Sequence, residues 1–372
     1  MSVITLDQLR RYAISRSLFK PTTLPGAIRK LGFVQADPMR APARAQDLIL
    51  RHRVKDYRAG DLEARYSRLA IEEDCFVNYG FMPRDWLPLL HPRTARRVWD
   101  AKTQTQAESL LAVVRERGPT HPKSLLDEFA HHGRMPGYWG GELNVSTQLL
   151  DGLHYRGHLR VKRRDAGTRV YECIDHAPQD DGPAARRERA ETLIDRVIQL
   201  YAPLPAPSLG YLTSLLRLGV PHLQTETRAA CKSARERHAH ALIDGVTWFW
   251  PSDENPASKR HALDERLRLL APFDPIVWDR RRFEIFWGWA YRFEAYTPAA
   301  KRTMGHYALP LLWGEDIRGW ANLRVDKKGG LHCETGFVDG KSKPKGAAFR
   351  AALEEELEGM RAFLSLDGQL RA

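Results

Sequence analysis

The sequence predicts an α+β chain in which tandem winged helix-turn-helix modules precede a small antiparallel β-barrel and a C-terminal helix. Three observations carry that prediction. Near the N-terminus, segments of helical period surround one short extended run, "FVQADPM". The block "NVSTQLLDGLHYRGHLRVKRRDAGTRVYECID" reads as a helix followed by a two-stranded wing. From about residue 262 the texture turns to alternating apolar positions rich in aromatics.

The first module is assigned to residues 1–100. Thr5 followed by Gln8 fits a capping box, and Leu6, Leu9 and Ala13 repeat at helical spacing, so a helix is expected near 6–18. A second, "LPGAIRKLG", stops at Gly32, and the short strand follows. "APARAQDLILRHR" is read as the next helix, with Pro42 near its first turn, and "IEEDCFVNYGFMP" as a hairpin. The second module, 101–180, has a helix near 106–117, a helix bearing Leu149, Leu150 and Leu153 that ends at Gly157, and a wing turning at Asp165-Ala166-Gly167. "HAPQDDGPAARRE" has the composition of a boundary, and a third helical unit covers 181–258, closing on the strand-like "GVTWFWP". The barrel spans 259–345, with Tyr296 and the "IFWGWAY" run placed in its core. The amphipathic segment 346–372 is the closing helix. The three modules form an architectural repeat rather than a sequence repeat.

Charge and composition narrow the function. With 58 Lys and Arg against 46 Asp and Glu, the net charge of +12 favours a polyanionic partner. Four scattered cysteines form no CxxC pair, no histidine set has metal-ligand spacing, and neither a Walker motif nor GxGxxG is present. Neither a metal nor a cofactor is expected. The first residues lack the apolar core of a secretory signal, and no run is long enough to span a membrane, so a cytoplasmic protein is expected.

Within "LGFVQADPMR", Gln35 and Asp37 stand two residues apart, which in a strand puts both on one face. Arg40, Arg44 and Arg51, spaced four and seven apart, would form a basic stripe beside them if the helix starts near Pro42. The Arg-rich wing 160–169, with Arg163 and Arg164, is placed to touch a phosphate backbone.

"QADPMRAPARAQDLILRHRV", "LLAPFDPIVWDRRR" and "YRFEAYTPAAKRTMGHYALPLLWGEDIRGWANLRVD" resemble, in order, the winged-helix DNA glycosylases of the YcaQ and AlkZ type. That resemblance implies tandem winged helices and a β-barrel around a positively charged DNA channel. It also implies an active-site signature of Gln, a hydrophobic residue, then Asp or Gln, matched here by Gln35, Ala36 and Asp37. Where the family often carries an aromatic and histidine segment, this chain has "EEDCFVNYGFMP", without histidine. The implied activity is monofunctional hydrolysis of the N-glycosidic bond of N7-substituted purines in double-stranded DNA, with interstrand crosslinks as further substrates.

The chemistry suits the residues. Alkylation at N7 charges the base and makes it a good leaving group, leaving an oxocarbenium-like sugar and an attacking water. A carboxylate stabilises that charge and accepts the water's proton. Asp37 is therefore read as base and electrostatic stabiliser, and Gln35 as water holder. An enzyme for crosslinks has to grip a deformed duplex, and the loops at Arg280, Arg281 and Arg282 and at Lys301 and Arg302 are candidates for that grip. A monomer is expected. The competing reading is a non-catalytic winged-helix DNA-binding protein or transcriptional regulator, since the fold serves either role.

Overall fold

The computed structural model describes residues 4–136, 142–338 and 346–366. The chain forms two compact units that are discontinuous in sequence. One comprises 1–61, 194–212 and 231–372; the other comprises 62–193 and 213–230.

In the first unit the opening helix is Leu6–Ser17, and the capping box is formed: Gln8 N–H donates to Thr5 Oγ1 at 3.3 Å and Thr5 N–H to Gln8 Oε1 at 2.9 Å. Leu9, Tyr12, Ala13 and Ile14 bury this helix against Ile276, Val277, Phe283 and Phe286. The second helix, Leu24–Leu31, is capped by Thr23, carries Pro25 in its first turn and ends at Gly32. Strand Val34–Gln35 follows.

The next helix runs only over Ala45–Leu50, because Arg44 still has extended backbone angles and Pro42 lies three residues ahead of the helix. The expected common face therefore does not exist. Arg40 lies in the preceding loop, Arg44 is the cap, and Arg51 follows the last turn.

Strands Leu204–Pro205, Ala239–Ile243 and Val246–Trp250 form an antiparallel sheet with Val246–Trp250 in the centre. Its hairpin turns through Asp244 and Gly245, both at positive φ, as a tight turn between twisted strands requires.

Strands Leu267–Leu269, Leu309–Trp313, Asp316–Val325 and Leu331–Phe337 form a four-stranded antiparallel meander. Asp316–Val325 alternates buried and half-buried residues over most of its length, as a sheet with one covered face should. Among the described residues the outer strands do not pair with each other, so the sheet is open and the expected closed barrel is not found.

The aromatic run between the first and second strands of the meander is also not β-structure. Asp274 and Asp279 cap the successive helices Pro275–Trp278 and Arg280–Trp287. Phe283, Phe286 and Trp287, at helical rather than alternating spacing, face the core. The closing helix, Ala347–Phe363, buries Phe349, Leu357, Met360 and Phe363.

The second unit contains helices Ala101–Arg117 and Val145–Tyr155, a short antiparallel pair of Arg134–Pro136 with Glu142–Asn144, and two further hairpins. One hairpin pairs Leu159–Asp165 with Thr168–Cys173 and turns at Ala166 and Gly167, both at positive φ, where the wing was expected. The other, Ile71–Cys75 with Tyr79–Pro83, occupies the segment noted for its lack of histidine. Its three consecutive acids are buried. Glu72 pairs with Arg84 and Arg160, Glu73 with Arg164 and Arg169, and Asp74 with His91 and Arg93. No helix of the described residues is long and apolar enough to cross a membrane.

Candidate active site

The segment carrying Gln35 and Asp37 is held at both ends. Gly32 terminates the preceding helix at φ 77°, a conformation glycine enters without a Cβ clash. The chain then passes directly into Val34–Gln35. Asp37 closes an Asx turn, with Oδ1 accepting the Met39 N–H at 2.9 Å. The Asp37 N–H donates to Gln46 Oε1 at 3.3 Å. Gln46 projects from the six-residue helix and is buried. Sequence reasoning passed over it; the one signal was an amide inside the otherwise apolar "AQDLIL".

Gln35 is 6% exposed, and its Oε1 has no hydrogen-bond partner among the described residues. Asp37 is half-buried. Burial lifts its carboxyl above the ordinary aspartate range, and the Met39 N–H acts in the opposite direction. Among the described residues no cation pairs with this carboxylate.

The negative charge of Asp37 is felt by two tyrosines. Burial first, and that charge second, push the Tyr307 phenol well up and the Tyr296 phenol up. Tyr307 is 3% exposed and its hydroxyl has no hydrogen-bond partner among the described residues. Phe293 meets Tyr307 and Tyr296 edge-on, with centroids 5.3 and 6.1 Å apart. Tyr296 is 66% exposed, which corrects its expected place in the core: it lies in the irregular stretch after the Arg280–Trp287 helix.

A cavity of about 570 Å³ is lined by Arg40, Pro42, Tyr307, Asn322, Arg324 and His332, among others. Gly305, which also lines it, is held by Glu294, whose buried carboxylate accepts the N–H groups of Thr303, Met304 and Gly305 and the Thr303 hydroxyl. Burial alone would lift this carboxyl; the converging donors hold it below the ordinary range. Gly305 sits at φ 109°, a conformation L side chains rarely adopt, and a Cβ there would fall 2.5 Å from the Asn322 amide oxygen.

The arginines expected to face DNA divide into two groups. Arg40, Arg163, Arg281 and Lys301 are exposed, although Arg163 pairs with Asp165 at 2.9 Å. Arg51 is committed to Glu356 through bonds of 2.7 and 3.2 Å, and Arg164 to the buried Glu73. Arg282 is 1% exposed and donates to the carbonyls of Tyr201 and Pro275. Arg280 donates to those of Val277 and Pro272 and lies over the Tyr291 ring. Arg302 donates to Thr297 O at 2.8 Å. Arg44 is half-buried at the helix cap. Buried carboxylates and backbone carbonyls consume most of these cations, and sequence spacing alone does not reveal that. Among the described residues no group of three or more His, Cys, Asp or Glu could hold a metal ion.

Residues 28–363 match the sequence model of the family described as DNA glycosylase AlkZ-like. The fold is similar to that of the Streptomyces sahachiroi DNA glycosylase AlkZ, with a TM-score of 0.63 at 12% identity, covering 97% of each chain. The match embraces Gln35, Asp37 and the Tyr307 cavity, and it sets aside the reading as a non-catalytic regulator. The chain belongs to the AlkZ-like DNA glycosylase family and is an enzyme of that class.

Proposed function

We propose that this enzyme hydrolyses the N-glycosidic bond of N7-alkylated purines in double-stranded DNA, crosslinked purines included, without a lyase step. Asp37 carries the reading. It is a half-buried carboxylate with no ion-pair partner among the described residues, held by Met39 and Gln46 beside a concave surface bearing Arg40 and Arg324. Water attacks C1′ as the C1′–N9 bond breaks, and the bond's electron pair neutralises the cationic base. The water's proton passes to Asp37, leaving an abasic site. The unpartnered Gln35 Oε1 accepts the water's other hydrogen. Asp37 also stabilises the positive charge developing on the sugar.

Arg40, Arg163, Arg281 and Lys301 are proposed as backbone contacts. Arg44, Arg51, Arg164, Arg280, Arg282 and Arg302 are proposed to shape the surfaces that carry them. In the same reading, residues 1–100, 101–180 and 181–258 act as winged-helix modules and the protein works as a cytoplasmic monomer on DNA.

The test is single-turnover excision from duplexes carrying N7-methylguanine or an N7-linked interstrand crosslink, with alkaline cleavage revealing abasic sites. Wild type should release the lesion, and Asp37→Asn and Gln35→Ala should lose that release while still binding the duplex. Full excision by Asp37→Asn would sink the assignment.

A further inference from the structure

The second unit contains a basic, aromatic pocket that the excision chemistry does not use. It has a volume of about 420 Å³ and is lined by Ala95, Arg96, Arg97, Trp99, Tyr155 and Arg156. That volume lies within the range of about 300–1,000 Å³ typical of small-molecule sites. Three guanidinium groups and two large rings converge on it, and none of the six lining residues is acidic. Like charges gathered without a counter-charge repel one another, and an anionic ligand relieves that repulsion.

The side chains are placed for two kinds of contact. Arg156 donates to Gly152 O at 3.1 Å and Arg97 O at 2.8 Å, which fixes its guanidinium 3.4 Å from the centre of the Trp99 ring. Tyr155 is backed by the buried Arg93, 4.7 Å from its ring centre. These two cation–ring pairs are the platform the pocket offers. Arg96 and Arg97 are exposed, and their guanidinium groups have no acceptor among the described residues. Asp100, the nearest acid in sequence, is engaged in capping the Thr103 N–H at 2.7 Å.

We propose that this pocket binds a nucleotide of single-stranded DNA, with its phosphate on Arg96 and Arg97 and its base stacked on the platform of Tyr155 and the Arg156–Trp99 pair. A paired base has both faces covered by its neighbours, so a stacking pocket selects an unpaired one. A strand splayed out beside a lesion would supply such a nucleotide, and a free nucleotide carries the same chemistry. The proposal requires no lesion and no excision, so it stands or falls separately from the role of Asp37.

The test is fluorescence anisotropy of undamaged, labelled (dT)10 and of a ten-base-pair duplex, using the full chain. Arg96→Ala/Arg97→Ala should weaken (dT)10 binding at least tenfold and the duplex far less. The slope of log K against log salt should fall by about 1.4, for two contacts at about 0.7 each on single strands. Arg96→Lys/Arg97→Lys should recover most of the affinity, and an unchanged thermal midpoint in the alanine variant shows that the fold is intact. Competition by dTMP should be stronger than by inorganic phosphate, and weaker than by unlabelled (dT)10 if the natural source is a strand. Equal losses on single strand and duplex, or unchanged (dT)10 binding in the alanine variant, would overturn the proposal. So would equal displacement by dTMP and inorganic phosphate.

Discussion

The Arg53–Asp274 pair offers the sharpest test of how the candidate active-site segment is held. Both side chains are fully buried. The guanidinium donates to the carboxylate at 2.8 and 2.9 Å, to Ser17 O at 2.8 Å and to Ile49 O at 2.6 Å. Asp274 also accepts the Ile276 N–H at 3.1 Å. One ion pair therefore joins the end of the first helix, the helix that presents Gln46 to Asp37, and the start of Pro275–Trp278.

Asp274→Asn keeps the size and the cap acceptor but leaves a guanidinium without its counter-charge in a dry site. Breaking a buried pair in this way costs about 3–5 kcal/mol. At about 2–4 °C per kcal/mol for domains of 150–250 residues, the melting transition of this unit should fall by roughly 6–20 °C. Calorimetry reads the shift, and two compact units call for fitting more than one transition. Arg53→Met/Asp274→Leu removes both charges and should recover part of the loss, because neither ion is left stranded. The reasoning fails if Asp274→Asn costs less than about 1 kcal/mol, or if the double variant is no better than the worse single one.

Asp37→Asn should separate stability from activity. A carboxyl whose folded pKa is raised contributes stability below its unfolded value and loses that contribution as pH rises through the folded value. The asparagine variant should thus be the more stable protein at pH 7, and the gain should vanish below about pH 4. Its single-turnover excision should fall about 10²–10⁴-fold, and wild-type excision should decline on the acid side as Asp37 takes up a proton. A variant destabilised at pH 7 would contradict the burial of this charge. Gln46→Leu releases the Asp37 N–H, so excision should slow several-fold for a stability loss of about 1 kcal/mol; an unchanged rate would make that hydrogen bond incidental. Glu73→Gln tests the buried acids of the second unit. Burial would lift the Glu73 carboxyl, but Arg164 and Arg169 overrule it and hold it at about 2. The substitution should cost about 3–5 kcal/mol at pH 7. Because a depressed carboxyl loses its contribution as pH falls, the gap to wild type in urea unfolding should close between about pH 4.5 and 2. A gap independent of pH would locate the effect in packing instead.

Much of this protein is written in local signals. The Thr5–Gln8 box, the Gly32 stop, the Ala166-Gly167 and Asp244-Gly245 turns and the amphipathic closing helix depend on neighbours a few residues away, and the sequence alone suffices for them. Gln35 and Asp37 were legible for the same reason, as a polar pair ending an apolar run. What tertiary structure decided was the fate of each charge and each aromatic residue. Phe283, Phe286 and Trp287 are apolar in either a strand or a helix, and the aspartate caps together with packing against the first helix chose the helix. Arg51, Arg164 and Arg282 look like any surface arginine in sequence. Their partners Glu356, Glu73 and the Tyr201 carbonyl lie between 81 and 305 residues away. A buried ion pair such as Arg53–Asp274, or the charge of Asp37 felt at Tyr307, links residues far apart in the chain, and sequence spacing carries no record of it.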